Sequence, residues 1–183
     1  LVSGFPMQPV TERGTTLASF DVPASFVLAD YNGDARMDIF LSEGWTVDVI
    51  DNFDSFYDPS VKESNLKAFH TEANFRLYRM DIRDPEALGT LGGGYEAIIH
   101  LAARAGVRPS IAEPVLSQEV NVRGTQNLLE MARQWGTPRF VFASSSSVYG
   151  LNASLPWHEE DAVLKPISPY ASTKVSGELL GHV

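Results

Sequence analysis

Short apolar runs alternate with longer helical patterns along the chain from residue 45 onward. The runs are four to six residues long and lie at residues 46–50, 75–80, 97–101 and 140–143. Runs of this length, rich in β-branched and aromatic residues, are typical of buried strands. The alternation predicts βαβ units and therefore an α/β fold, a doubly wound parallel sheet of the Rossmann-like type. In such a sheet, ligands bind at the carboxyl ends of the strands.

The clearest helical pattern begins at Pro114, a residue that is accepted in the first turn of a helix. Apolar or small residues then recur every three or four positions, which places them on one face. They are Leu116, Val120, Gly124, Leu128, Met131 and Trp135. Because Gly124 has no side chain, we expect this face to approach the sheet closely at that point.

The first residues of the chain have a different character. Residues 1–24 mix prolines and glycines with polar residues without a sustained period, which predicts an irregular tail. We expect one Rossmann-like domain over residues 25–183, with an atypical first β-α unit at 25–42 and a first strand at 26–29. The chain starts at Leu1 rather than Met and stops at Val183, close to a predicted helix. We therefore expect a fragment that is incomplete at both ends and lacks a substrate domain.

Composition limits the partners. The 183 residues carry a net charge of −9 without any run of lysine or arginine, which argues against nucleic acid and anionic membranes as partners. The chain has no cysteine, and no apolar stretch approaches the ~18 residues of a membrane span. A cytoplasmic protein fits these properties, and any phosphate ligand must be held by local groups.

Tyr170 and Lys174 are the first candidates for chemistry. Their four-residue spacing in the sequence YASTK places both on one face of a helix. A phenol, with an unperturbed pKa near ~10, needs a nearby cation to act as a base at neutral pH, and a lysine supplies one. A surface Tyr and Lys on an ordinary helix is the alternative.

A serine run at residues 144–147 follows the predicted strand 140–143 directly. At the carboxyl end of a strand, such hydroxyls can hydrogen-bond a substrate alcohol or an oxyanion. A serine-rich turn is the alternative. Asp51 likewise ends a predicted strand, where a carboxylate suits the two hydroxyls of an adenosine ribose. Small residues after the strand at 97–101 would let the backbone come close to a flat ligand.

With these residues in view, the chain from about residue 43 to 183 resembles the extended short-chain dehydrogenase/reductase family, the NAD-dependent epimerases and dehydratases. Within it, the chain is most similar to UDP-glucuronate and UDP-glucose 4-epimerases. The motifs that carry the resemblance are DNF at 51–53, YDPSVKE at 57–63, Asp81-Ile82, HLAA at 100–103, Asn121, the serine run with VYG at 148–150, and Pro169-Tyr170 with Lys174.

The resemblance implies a role for each matching residue. Tyr170 would be the base or acid at the sugar 4-hydroxyl, Ser145 its hydrogen-bonding partner, and Lys174 the cation that activates the tyrosine and holds the nicotinamide ribose. The remaining residues implied to bind NAD are Gly33, Asp51, Asn52, Asp81, Ile82, Leu101, Ala102, Ala103 and Asn121. Arg108, Ser145, Ser146 and Tyr170 would contact a UDP-sugar substrate, and a homodimer is a further expectation.

The implied reaction is 4-epimerisation through a 4-ketosugar. The related 4,6-dehydratases place Asp-Glu directly before Val-Tyr-Gly, because elimination of water needs an extra acid and base. Here those positions hold Ser146 and Ser147, which favours an epimerase over a dehydratase. Decarboxylases of the same family commonly carry Glu at the second position, and a decarboxylase stays an alternative.

The family's phosphate-binding loop, GxxGxxG, is the main departure. Counting back from Gly44 puts its glycines at Val27, Asp30 and Gly33, of which only the last is glycine. Asp30 and Asp34 place carboxylates where a pyrophosphate should bind. At an effective dielectric near ~20, a like-charge pair ~4 Å apart costs about 4 kcal/mol. We therefore expect weak NAD binding and little turnover from this chain.

The segment that replaces the loop resembles the calcium loop of FG-GAP or VCBS repeats. Asp30, Asn32, Asp34 and Asp38 supply oxygen ligands at alternate spacing, as a Ca²⁺ loop does. An acidic, solvated turn is the alternative, and so is no metal at all. The change of motif on either side of Gly44 suggests a junction near residues 39–43, and it leaves a non-catalytic calcium-binding or interaction module as the second function class.

Overall fold

The computed structural model describes residues 25–29, 44–152, 155–161 and 165–183, and within residues 25–29 it describes the backbone. The predicted tail at residues 1–24 and the loop at residues 30–43 lie outside this part. Five parallel strands form one sheet in the order β3-β2-β1-β4-β5. They are β1 (Ser25–Ala29), β2 (Thr46–Ile50), β3 (Phe75–Tyr78), β4 (Ala97–His100) and β5 (Phe140–Phe142). The doubly wound sheet predicted from the sequence is confirmed.

The predicted first strand is also confirmed, and it lies at the centre of the sheet. β1 pairs with β2 from Ser25 opposite Thr46 and with β4 from Phe26 opposite Ala97. Val27 is therefore inside the strand, opposite Asp48 and Ile98. This is the first of the three positions counted for the glycines of the phosphate loop, and the strand continues beyond it to Ala29.

In the described part of the chain, six α-helices, one π-helical turn and one 3₁₀ helix accompany the strands. The helices are α1 (Pro59–Leu66), α2 (Pro85–Gly89), α3 (Val107–Ala112), α4 (Pro114–Gln118), α5 (Gly124–Trp135) and α6 (Pro169–His182). A π-helical turn (Glu119–Arg123) joins α4 to α5, and a 3₁₀ helix (Ser146–Tyr149) follows β5.

Three of these helices begin with the same pair of signals. Asp58, Asp84 and Ser168 each cap a helix through a side-chain oxygen that accepts from a backbone N–H, and each is followed by proline in the first turn. The proline has no N–H to leave unpaired, and the cap satisfies one of the free donors of the first turn.

Alternate residues of the strands serve two cores, one on each face of the sheet. On β2, Val47 and Val49 pack into one core with Leu66 of α1, whereas Ile50 packs into the other with Leu128 of α5. Strands buried on both faces are what a doubly wound sheet requires. Asp48 is buried on the same face of the sheet as Ile50. Tyr95 Oη and Arg76 Nε donate to its carboxylate over 2.8 and 2.6 Å.

The helical pattern predicted from Pro114 onward is continuous in the structure but contains the π-helical turn. Gly124, Leu128 and Met131 of the predicted face are buried, as expected. At Gly124 an ideal Cβ would lie 2.5 Å from Cδ1 of Ile82. The close approach is therefore real, although its partner is the residue that follows β3 by four positions rather than a strand residue.

We predict that Gly124→Ala destabilises the fold by about 1–3 kcal/mol, because the added methyl forces Ile82 out of a well-packed position. Urea unfolding at equilibrium measures the change. Gly89→Ala is the matched control, since a Cβ at helical Gly89 meets nothing within 4 Å and should be neutral or slightly stabilising. Equal stabilities for the two variants would contradict the packing account.

Candidate active site

A cleft opens at the carboxyl ends of β2, β3 and β4. It is partly open to solvent. Its walls combine apolar side chains with a few polar groups and include five of the predicted cofactor-binding residues. The lining residues are Ile50, Asp51, Asn52, Asp54, Met80, Asp81, Ile82, Ala102, Arg104 and Val120.

Asp51 is held at the end of β2 by a buried ion pair. Lys62 Nζ of α1 donates to Asp51 Oδ1 over 2.8 Å, and the two side chains are 0% and 4% exposed. The backbone N–H of Phe53 donates to the same oxygen over 2.6 Å, with Phe53 in the left-handed region at φ 53°. Lys62 therefore fixes the carboxylate that lines the cleft. The sequence pointed to Lys62 only as part of the YDPSVKE motif.

Asp81 forms the opposite polar wall together with Asn52. Arg83 donates to both carboxylate oxygens of Asp81, over 2.9 and 2.7 Å, and Asn52 Nδ2 donates to Oδ2 over 2.9 Å. Burial alone would raise the pKa of Asp81, but the hydrogen bonds from Arg83 and Asn52 outweigh it and lower the pKa to about 2. Asp81 is therefore an anion throughout the neutral range.

The residues after β4 divide between the two faces of the sheet. Ala102 lines the cleft and Ala103 is buried next to it, whereas Leu101 packs into the core on the other face. Arg104 also lines the cleft. Its guanidinium pairs with Asp54 over 3.6 Å and with Glu113.

Helix α6 brings Lys174 and Tyr170 together beside β5. Lys174 Nζ donates to the carbonyl of Ala143 over 2.6 Å and lies 5.8 Å from the centroid of the Tyr170 ring. Burial lowers the pKa of Lys174 to about 8, against an opposing effect of Glu178. The ammonium is thus charged at neutral pH although the residue is only 4% exposed. The helix packs this closely because Gly177 faces Phe142, whose Cζ would lie 2.4 Å from an added Cβ.

The first turn of α6 is anchored from two sides. Ser168 Oγ accepts from the N–H of Ala171 over 3.1 Å, and the buried Ser110 Oγ of α3 accepts from the N–H of Tyr170 over 3.0 Å. The Ser110 hydroxyl donates in turn to the carbonyl of Val107. The backbone of Tyr170 is therefore fixed by α3.

The serine run does not act as one group. Ser144 donates to Glu178 on α6, and Ser146 is exposed. Ser145 caps the 3₁₀ helix, its Oγ accepting from the N–H of Ser147 over 3.2 Å, with the Ser147 hydroxyl at 3.1 Å. The 3₁₀ helix packs against α6, so that Ser145 and Tyr170 lie on neighbouring elements.

Asn121 lies in the π-helical turn and bridges the loop after β4 to α6. Its Oδ1 accepts from the N–H of Arg104 over 2.6 Å, and its Nδ2 donates to the carbonyl of Arg104 over 3.2 Å and to Thr173 Oγ1 over 3.0 Å. The Thr173 hydroxyl donates to the carbonyl of Tyr170 over 2.7 Å. The direct cofactor contact predicted for Asn121 stays a prediction, and the structure assigns its amide to this bridge.

Comparison with known proteins identifies the family. Residues 30–182 match the family described as GDP-mannose 4,6 dehydratase. The chain belongs to this family. It is therefore an extended short-chain dehydrogenase/reductase, as the motifs predicted. The match begins at residue 30 and runs through residues 39–43, so the predicted junction there and the FG-GAP resemblance gain no support.

Two relatives of this chain are named as 4-epimerases. A UDP-glucuronate 4-epimerase of Thermodesulfobacterium geofontis is 42% identical over 79% of this chain and 45% of its own length. UDP-glucuronate 4-epimerase 4 of Arabidopsis thaliana is 40% identical over 73% of this chain and 31% of its own length. The chain thus spans less than half the length of these relatives.

Solved structures agree with the fold. The UDP-glucuronic acid 4-epimerase of Bacillus cereus, in complex with UDP-glucuronic acid and NAD, superposes with a TM-score of 0.73 at 28% identity over 85% of this chain and 50% of that one. A UDP-N-acetylglucosamine 4-epimerase of Methanobrevibacter ruminantium M1 gives 0.75 at 29% identity over 86% and 49%.

Some predicted residues of this family member lie away from the cleft or outside the described part. Arg108 is exposed on the first turn of α3, and its substrate contact stays a prediction. Gly33 and the candidate calcium ligands Asp30, Asn32, Asp34 and Asp38 lie outside the described residues. Within the described ranges, no three His, Asp or Glu side chains cluster as a metal site would require, and no helix has both the length and the hydropathy to cross a bilayer.

His100, from the HLAA motif, had no role in the sequence prediction. It is 1% exposed at the end of β4, and its Nε2 lies 2.8 Å from Thr125 Oγ1 of α5. Burial, with a smaller effect of the Lys174 charge, lowers the pKa of His100 to about 3. The imidazole is therefore neutral in the folded chain.

We predict that His100 makes the fold acid-sensitive. In the unfolded chain a histidine takes up a proton below about pH 6.5, whereas folded His100 does not until about pH 3. Stability is then complete above pH 6.5 and is lost as the pH falls, by about 2 kcal/mol at pH 5. Urea unfolding between pH 7 and 4.5 measures this loss. His100→Gln should remove it, and an unchanged pH dependence in that variant would refute the assignment. Asp81 does not interfere, because it acts only below about pH 4.

Proposed function

We propose that the protein containing this sequence is an NAD-dependent nucleotide-sugar 4-epimerase acting on UDP-glucuronate or a related UDP-sugar. The observation that carries the proposal is the position of the buried Lys174 beside the Tyr170 ring at the carboxyl end of β5. A base that must remove an alcohol proton at neutral pH needs such a cation if it is a phenol. The names of the relatives support the substrate class.

The described residues fit the adenosine half of NAD. Asp51 presents a carboxylate at the end of β2, as binding of a ribose diol requires, and Ile82, Ala102 and Val120 offer apolar walls for a flat base. NAD, when bound, would accept a hydride from C4 of the sugar and return it to the opposite face. Lys62 holds Asp51 in place, and Asn52 and Arg83 hold Asp81.

At the sugar, Tyr170 Oη would take the proton of the 4-hydroxyl as the hydride leaves C4, which forms the 4-ketosugar. The same oxygen would return the proton when the hydride comes back. Ser145 would hydrogen-bond the 4-oxygen in both directions. Lys174, held by the carbonyl of Ala143, would keep the phenolate charge balanced. Because the hydride and the proton both return, NAD is not consumed.

Two other reactions of the family stay as alternatives. The family description names a dehydratase, but the acid and base that elimination needs are replaced here by Ser146 and Ser147. Decarboxylation of UDP-glucuronate would begin with the same oxidation at C4. The cytoplasmic location and the homodimer predicted from the sequence remain predictions.

We predict that the chain, supplied with NAD and UDP-glucuronate, forms the C4 epimer slowly and that Tyr170→Phe lowers the rate by ~10²-fold or more. Chromatography of the UDP-sugars measures the product and separates it from a decarboxylated UDP-pentose. Tyr57→Phe is the control, since Tyr57 lies in the loop before α1 and is 40% exposed. Release of carbon dioxide as the main reaction would refute the epimerase assignment.

We further predict weak binding of NAD because Asp30 and Asp34 lie one and five residues after β1 in the sequence, in the segment where the pyrophosphate binds in this fold. Calorimetric titration should give a Kd above the micromolar range. Asp30→Gly with Asp34→Gly should tighten it by 10-fold or more, since removal of each like charge is worth up to about 4 kcal/mol. Adenosine, which has no phosphate, is the control ligand and should bind both proteins equally. Micromolar binding to the unaltered chain would contradict this prediction.

A further inference from the structure

The hydrogen bonds around His100 determine which of its nitrogens carries the proton. Thr125 Oγ1 lies 2.8 Å from His100 Nε2 and 2.6 Å from the carbonyl of Asn121. The Thr125 hydroxyl has one proton, and a carbonyl can only accept, so the hydroxyl donates to Asn121. Nε2 must then donate to Thr125, because the opposite assignment would set two lone pairs against each other at 2.6 Å.

The other ring nitrogen supports this assignment. Nδ1 is buried and has no hydrogen-bond partner in the described structure. An unpaired buried N–H is rarer and costlier than an unpaired acceptor. In the Nε2–H tautomer, the unpaired atom Nδ1 is an acceptor, which costs less free energy than an unpaired N–H donor would. The donors therefore run in one direction, from His100 through Thr125 to the backbone of Asn121.

The Asn121 side chain continues the connection to the Tyr170–Lys174 pair. It clamps the N–H and carbonyl of Arg104 and donates to Thr173 Oγ1, which donates to the carbonyl of Tyr170. The backbone of His100 makes a second connection. Its carbonyl accepts from the N–H of Ala143 over 3.0 Å, and the carbonyl of Ala143 accepts from Lys174 Nζ.

These bonds meet in the π-helical turn. In this turn the N–H of Gly124 donates to the carbonyl of Glu119, five residues earlier, which is a wider and rarer geometry than that of an α-helix. Relaxation to an α-helical turn would rotate Asn121 away from Arg104 and Thr173. A side-chain bond from outside the helix can hold the wide turn in place, and His100 of β4 supplies one to Thr125, whose hydroxyl bonds the carbonyl of Asn121 in the turn.

We propose that His100, as its Nε2–H tautomer, is a positioning residue for the Tyr170–Lys174 pair, which it aligns through Thr125 and the Asn121 amide. The proposal rests on the proposed function for its catalytic consequence, but its structural part is independent of any activity. His100 touches neither sugar nor cofactor in this scheme. Its contribution is to hold a turn that the helix alone would not keep.

The first test observes His100 in the 183-residue chain by ¹⁵N NMR. We expect a proton on Nε2 and none on Nδ1 at pH 7. A proton on Nδ1 would overturn the proposal, because Thr125 would then have to donate to the histidine and would leave Asn121. No ligand and no turnover are needed for this measurement.

The second test compares Thr125→Val with Thr125→Ser. Valine keeps the shape but removes the hydroxyl, whereas serine retains it. Amide hydrogen exchange at Arg104, whose N–H is bonded to Asn121 Oδ1, reports on the clamp. We expect at least 10-fold faster exchange in Thr125→Val and less than 2-fold change in Thr125→Ser. The Val49 amide in the core serves as the reference for global stability. A Thr125→Val variant that exchanges like Thr125→Ser at Arg104, or equally faster at both amides, would overturn the proposal.

His100→Gln and His100→Leu give a second pair should Thr125→Val fail to fold. Glutamine places an N–H donor where Nε2 lies and should keep protection at Arg104, which leucine should lose. Where turnover is measured, we expect kcat to fall about 10-fold in Thr125→Val with KM within 2-fold. Altered exchange without any epimerase activity in the parent chain would refute the proposed function and leave the positioning role intact. Normal activity in Thr125→Val with altered exchange would refute the catalytic part of the positioning role.

Discussion

Burial of charge is the constraint on which the arrangement of the cleft depends. Removing an ion from water costs several kcal/mol unless a partner and hydrogen bonds compensate. Three of the charged groups described at the carboxyl end of the sheet have such a partner. Asp51 has Lys62, Asp81 has Arg83, and Lys174 is held by the carbonyl of Ala143. The partners fix the position of the groups they neutralise, and the cleft is therefore organised before any ligand arrives.

The same constraint explains what could and could not be predicted from the sequence. The strands and their parallel, doubly wound arrangement follow from apolar runs and βαβ alternation, and the strands predicted at 46–50 and 97–101 agree with the structure to within one residue. Tyr170 and Lys174 were found because a four-residue spacing is a local property of one helix. Lys62 and Thr125 were missed because their partners are 11 and 25 residues away, and only the folded chain brings those pairs together.

The spacing of apolar residues did not reveal the π-helical turn. The apolar residues from Leu116 to Trp135 fit a helix of constant pitch, yet five residues in the middle adopt the wider π-helical turn. The steps of three and four are compatible with either geometry, so no count along the sequence distinguishes them. What determines the turn is tertiary: a threonine held by a histidine on a strand, and an asparagine held by the loop after that strand. The prediction of Asn121 as a site residue was made from its motif, and its place in the turn gives a physical reason for asparagine there.

The central strand has a consequence for how the sheet can be changed. β1 contributes its backbone to two neighbours, with five residues aligned against β2 and four against β4, although the segment after it departs from the family pattern. The hydrogen bonds of this pairing come from the backbone of the strand. The position between β2 and β4 can therefore be filled by a strand whose backbone forms these hydrogen bonds. We therefore expect a separate peptide to replace this strand when it is added to a chain that lacks it, and the sheet is a starting point for split-protein reconstitution.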